Sequence, residues 1–172
     1  PQREHGRRLA VSTGTKAMLA IRVIAADATT TASLATIGDN WFGTSGDTVN
    51  LKSQYSACSY GALECNPASK TTSTGVAVTN GVHEVTITNS VTGVDRAVVE
   101  GAVVAAGNSA LGSLSNQFDH VMLCLPPGTL GDWIGYAYIN HYLSVYNDDW
   151  CNNVSIQMHG ESYSYTTPSF LL

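Results

Sequence analysis

The chain is 172 residues long, 44% hydrophobic and only 12% charged, which suits a single buried core and excludes a disordered chain, since disorder needs low hydrophobicity or high net charge. The formal net charge is −5, and Arg3, Arg7, Arg8 and Lys16 are half of the 8 Lys and Arg, with none after Arg96; a nucleic-acid binder needs a basic face for phosphates, and beyond its first residues this chain has none. No apolar run approaches the ~18 residues of a membrane span.

The opening stretch PQREHGRRLA is polar, basic and aperiodic. Residues 1–13 fit a linker or the remnant of a pro-segment, or simply a solvated terminus. The chain begins at Pro1 and not at Met, so it is expected to be a piece of something longer, and a missing signal peptide carries no weight.

KAMLAIRVIAAD (Lys16–Asp27) is an apolar run with Ile and Val, the mark of a buried strand. Thr29, Thr30 and Thr31 are candidate helix caps, and Leu34, Ile37 and Trp41 follow about one turn apart. Gly38 interrupts that helix, which predicts a short or kinked one. Leu51, Tyr55 and Cys58 have helical spacing, with Gly61 as the stop. GALECNPASKTTSTG starts as a strand and becomes a loop. In GVHEVTIT, Val82, Glu84 and Thr86 alternate with His83, Val85 and Ile87, as in a half-buried strand.

Residues 92–112 carry two stripes, Val94, Val98, Ala102, Ala105 and Val99, Val103, Ala106, and form the best helix in the chain. FDHVMLCLPPG is a second buried strand, with His120 at its start and Pro126-Pro127 at its end. Beyond it, Tyr136, Tyr138, Tyr142 and Tyr146 share one parity, and Ala137, Ile139, His141, Leu143 and Val145 the other. This predicts one long strand or a hairpin with an aromatic face, either a half-exposed sheet surface or the wall of a groove for an extended peptide. Asp148-Asp149 fits a solvated turn better than a calcium site. A helix then begins, with Asn152 or Asn153 as its cap. The order describes an α+β domain, a sheet with helices packed on it.

Cys58, Cys65, Cys124 and Cys151 are an even number with no C-x-x-C spacing. That argues against a four-sulfur zinc knuckle and for a disulfide-containing secreted domain, with three pairings open. Asn153-Val154-Ser155 is a glycosylation sequon of a kind that arises often by chance. There is no G-x-S-x-G elbow for a serine hydrolase.

One stretch, CNNVSIQMHGESYS (Cys151–Ser164), looks like the opening of a zinc-protease helix. In H-E-x-x-H, two histidines at i and i+4 lie on one helical face and bind one ion, while the Glu takes a proton from the bound water. Here His159 is followed by Gly160, and position i+4 is Tyr163. Glu161 is one residue late, about 100° round the helix. His5, His83, His120 and His141 are better read as tail, strand or core histidines than as missing ligands. Gly160 weakens the helix by about 1 kcal/mol against Ala, and Pro168 stops its continuation. A helix of about two turns is expected, with Val154 and Met158 toward the core.

GTKAMLAIRVIAAD, FGTSGDTVNLKSQYSACSYG, FDHVMLCLPPGT and GYAYINHYLSVYNDDWCNNVSIQMH together run over about residues 14–159. These strings resemble the gametolysin-like family of secreted algal zinc metallopeptidases. The resemblance implies a zincin/metzincin-like α+β fold: a twisted mixed sheet with packed helices and a zinc-bearing helix after the last strands, here incomplete. Gln157, Met158 and His159 match the family, so His159 is implied as the first zinc ligand. Gly160 stands in the place of the general base and Tyr163 in that of the second ligand.

Residues 14–159 are then expected to be the N-terminal subdomain of a catalytic domain, and 160–172 a divergent tail left by a splice or gene-end change. The implied function is that of a secreted zinc endopeptidase acting on matrix or cell-wall proteins. The chain as it stands is expected to be inactive and not to hold zinc tightly. The alternative is a non-catalytic secreted module that binds peptide or glycoprotein.

Overall fold

The apolar run that begins at Lys16 becomes the strand on which the whole sheet is built. In the computed structural model, which describes residues 12–157, β1 (Gly14–Ile24) is followed by α1 (Leu34–Phe42), α2 (Leu51–Cys58), β2 (Leu63–Pro67), the small hairpin β3 (Lys70–Thr71) and β4 (Ala77–Val78), and β5 (Val82–Thr86). Then come α3 (Arg96–Leu111), α4 (Leu114–Gln117), β6 (His120–Cys124), β7 (Gly135–Ala137), β8 (Leu143–Tyr146) and α5 (Asp148–Gln157).

The fold is mixed α+β. The twisted main sheet has the order β2-β1-β6-β8-β7, with β5 also on β1. β2 pairs with Gly14–Met18 and β5 with Ala20–Ile24, so two short strands share one edge of the long one. All these pairs are parallel except β7 with β8. Parallel strands need crossovers, and their faces must be covered. Leu19, Ile21, Val23, Val121, Leu123, Leu143 and Val145 pack with Val99, Val103 and Leu111 of α3 and Leu114 of α4. The alternate residues Met18, Ala20, Met122, Cys124 and Tyr146 pack with Ile37 and Trp41 of α1, Leu51 of α2 and Cys151 of α5. Period 2 along the strands thus divides one apolar sequence between two cores.

α3 resolves the two predicted stripes. Val99, Val103, Gly107 and Leu111 are buried, whereas Val98 is 60% exposed. Burying each Val or Leu contributes roughly 1.5–3 kcal/mol. Gly107 belongs to that stripe because a Cβ there would lie 3.0 Å from Leu114 Cδ1 and 3.5 Å from Ile21 Cδ1; its bareness lets α3 sit close on β1.

Several expectations change. The cap of α1 is Ser33, whose side chain accepts from Thr36 N. Thr30 instead is buried and donates its hydroxyl to Cys124 O at 2.7 Å. α1 is short, at 9 residues, but runs unbroken through Gly38, which is buried where a Cβ would meet Thr44 Oγ1 at 2.9 Å. The residues around Tyr136–Tyr146 form a hairpin in which Tyr136 pairs with Val145 and Gly135 with Tyr146. Tyr136 therefore packs with the α3 core and Tyr146 with the α1/α5 core, so no single tyrosine face exists. His141 lies in the loop and not on a strand.

The last correction is the start of α5. It begins at Asp148, earlier than Asn152 or Asn153, and Asn147 Oδ1 accepts from Trp150 N at 2.9 Å as a cap would. Asp148 and Asp149 lie in its first turn, where carboxylates interact favourably with the helix dipole. They are not a solvated turn.

Candidate active site

The helix that leads into the zinc-protease-like motif is α5, and the contacts among the described residues that fix it sit in its first turn and a half. Asn147 holds the entry: its N–H donates to Ile134 O at 2.9 Å and its Nδ2 to Trp133 O at 2.7 Å. Asp148 is buried, and its two oxygens accept from Thr31 N and Thr31 Oγ1, both at 2.7 Å. Asn152 Nδ2 also donates to Thr31 Oγ1. From α1, Asn40 Nδ2 donates to Asn152 O at 3.1 Å and reaches Cys151 O at 3.4 Å.

Two further contacts fasten α5 to the sheet. Cys151 forms a disulfide with Cys124, the last residue of β6, across a Cα–Cα distance of 6.0 Å. Tyr146 is sandwiched between Trp41 (centroids 5.4 Å, edge-on) and Trp150 (6.3 Å, stacked), and burial pushes its phenol up to about 12. The disulfide closes a separation of 27 residues, which constrains the unfolded chain by about 3–4 kcal/mol. None of the three full pairings open to the sequence is complete: Cys124 and Cys151 are bonded, while Cys58 is an exposed thiol and Cys65 a buried one. Burial lifts the Cys65 thiol to about 11, so it behaves as an apolar core group and not as a nucleophile.

β7 ends the sheet. Its surroundings are apolar and exposed: Leu130, Ile134, Tyr138 and Ile139 all stand open. Behind it, Tyr136 Oη donates to Glu100 Oε2 at 2.6 Å and Tyr138 Oη to the same oxygen at 2.9 Å. Burial and that carboxylate raise both phenols above their ordinary value. The Arg96 guanidinium lies over the rings of Trp133 and Tyr136, at 5.6 and 5.5 Å from their centroids. This bracing of β7 by α3 had no sequence signal beyond the i, i+4 placing of Arg96 and Glu100.

The sequence-expected site residues divide as follows. His159 and Glu161, with Gly160 and Tyr163, lie outside the described residues, as do Met158 and the side chain of Val154. α5 is described as far as Gln157, two residues before His159. His83 is on β5, half-buried, with its imidazole pKa lowered by burial. His120 is buried and bonded through Nε2 to Ser144 Oγ at 2.8 Å; His141 is exposed in the β7–β8 loop. Among the described residues no three His, Cys, Asp or Glu side chains form a metal-binding group.

The family model described as Gametolysin peptidase M11 matches residues 18–167. Among curated proteins nothing matches, and among solved structures nothing matches.

Proposed function

The chain belongs to the gametolysin peptidase family, a family of metallopeptidases, and from that premise we propose that it is the N-terminal, peptide-binding part of a secreted zinc endopeptidase of matrix or cell-wall proteins, with no hydrolytic activity of its own. The zincin/metzincin-like arrangement belongs to this proposal. What supports it is the mostly parallel sheet that ends in one antiparallel strand, followed by a helix clamped to the last long strand.

The single observation that carries the function is the edge of β7, which pairs with no further strand among the described residues. An extended peptide can add there as a further strand: main-chain hydrogen bonds give affinity, and side chains give selectivity. Ile134, Tyr138 and Ile139 supply apolar contacts beside that edge, and the Glu100–Tyr136–Tyr138 bonds hold the strand in place. The disulfide suits an oxidising compartment.

The residues of this chain do not fit a catalytic zinc. Such a site uses three protein ligands and an open position. His159 is the implied first ligand, but Gly160 has no side chain to act as a base, and Tyr163 replaces the second imidazole. No hydrolytic step is therefore assigned to these residues. That same donor set favours the second reading, a binding module that keeps the groove and has lost the site.

Titration of the purified chain with an unfolded casein peptide, followed by backbone amide resonances, tests the groove. Saturable shifts centred on residues 134–138 are expected, with the peptide recovered intact. Shifts absent from β7, or spread evenly over the surface, would overturn the assignment.

A further inference from the structure

The two faces of β7 differ. Tyr136 packs on the α3 side, where its Oη donates to Glu100 Oε2 at 2.6 Å. Gly135 and Ala137 have the opposite parity and carry at most a methyl group. The side chains of a strand added beside β7 would alternate in the same way. Every second one would therefore lie on the face that Glu100 occupies.

The Glu100 carboxylate has acceptor capacity to spare on that face. Oε2 accepts from Tyr136 Oη and, at 2.9 Å, from Tyr138 Oη, whereas Oε1 meets Tyr138 Oη alone, at 3.1 Å. An ionised carboxylate offers about four acceptor sites. Arg96, one turn back on α3, has its guanidinium over the Trp133 and Tyr136 rings. The ion pairs among the described residues are Lys16–Asp119 and Arg22–Glu84, and neither includes Glu100. Two phenols thus hold this carboxylate in place without a cation on it, and the Tyr138 ring beside it is 44% exposed. The surroundings carry the same sign: Asp132 is exposed in the loop that leads into β7, and no Lys or Arg follows Arg96.

We propose that the β7 edge selects extended peptides that carry Lys or Arg, with the cation docked on Glu100 Oε1 against the Tyr138 ring. The inference rests on peptide binding at β7 and names the class of peptide bound there. A cation gains from the carboxylate and from the aromatic face together. A carboxylate on the peptide would meet Glu100 and Asp132 as like charges, and such juxtaposition excludes a partner.

The test uses three capped peptides of Thr and Val, identical but for a central Arg, Gln or Glu, titrated into the purified chain by calorimetry and followed by amide resonances. The Arg peptide is expected to bind roughly 5- to 10-fold tighter than the Gln peptide, with the Glu peptide weakest. Glu100→Gln keeps an acceptor for the phenols and should bring the ratio of Arg to Gln affinities down to about one, whatever it does to both. Asp132→Asn, which alters the field but not the docking point, should leave most of that ratio. Equal affinities in the wild type, or an Arg preference that survives Glu100→Gln, overturn the inference while shifts at residues 134–138 still support peptide binding there. Absence of those shifts with all three peptides overturns both.

Discussion

Cys124, at the end of β6, is bonded to Cys151, in the first turn and a half of α5. The second buried strand and the helix that leads to His159 are thereby one mechanical unit. The rest of α5's described attachments lie within five residues of that bond, at Asn147, Asp148, Trp150 and Asn152.

Replacing both cysteines by serine should lower the free energy of unfolding by about 3 kcal/mol. Chemical denaturation of the oxidised and substituted chains measures this. Amide exchange should accelerate more in α5 than in β1 or β6. A uniform acceleration would mean that the bond stabilises the domain without securing the helix in particular.

Asp148→Ala removes the acceptor of Thr31 N and Thr31 Oγ1. Thr31 is exposed and the freed donors can turn to water, so the loss is that of ordinary hydrogen bonds, about 1 kcal/mol. Asp148→Asn keeps one acceptor oxygen and should cost less. Thermal unfolding of the two variants side by side checks the order, and equal losses would contradict the double acceptance by the carboxylate.

The protein should lose stability in mild acid through His120. Its pKa falls from an ordinary 6.5 to about 4 on folding, chiefly through burial. The unfolded chain therefore binds the proton first. The contribution is complete above pH 6.5 and disappears progressively down to about 4, by up to roughly 3 kcal/mol. Urea unfolding across this window should be steeper in pH for the wild type than for His120→Asn. Parallel curves would remove His120 as the cause.

Restoring the missing donors should create metal affinity. Gly160→Glu with Tyr163→His places a second imidazole at i+4 from His159, on the same face if α5 continues. Zinc affinity should rise by an order of magnitude or more, as a second protein ligand is gained. Unchanged affinity in calorimetry would show that residues 159 and 163 do not share a helical face.

The parts of this fold that were legible in sequence are those with one dominant period. β1 and β6 are buried on both faces, so they read as continuous apolar runs. α3 reads as a helix, though Val98 shows that two apolar stripes need not both be inside. The tyrosines misled because parity is conserved along a strand but not across a hairpin: Tyr136 and Tyr146 are ten residues apart yet enter different cores. The start of α5 was hidden because Asn147, Asp148 and Asp149 have the composition of a turn. Only tertiary structure shows that Asn147 caps, and that Asp148 is satisfied by Thr31, 117 residues away. The bond between Cys124 and Cys151 could not be chosen over two other pairings until β6 and α5 were seen side by side.

The proposal that this member of a peptidase family does not itself cleave peptides rests on the resemblance that would put Gly160 in the place of the base and Tyr163 in that of the second ligand. Hydrolysis of casein by the purified chain, with zinc supplied and with a chelator as control, tests it most directly. No cleavage above background is predicted under either condition. Cleavage that the chelator abolishes and that His159→Ala also abolishes would contradict it.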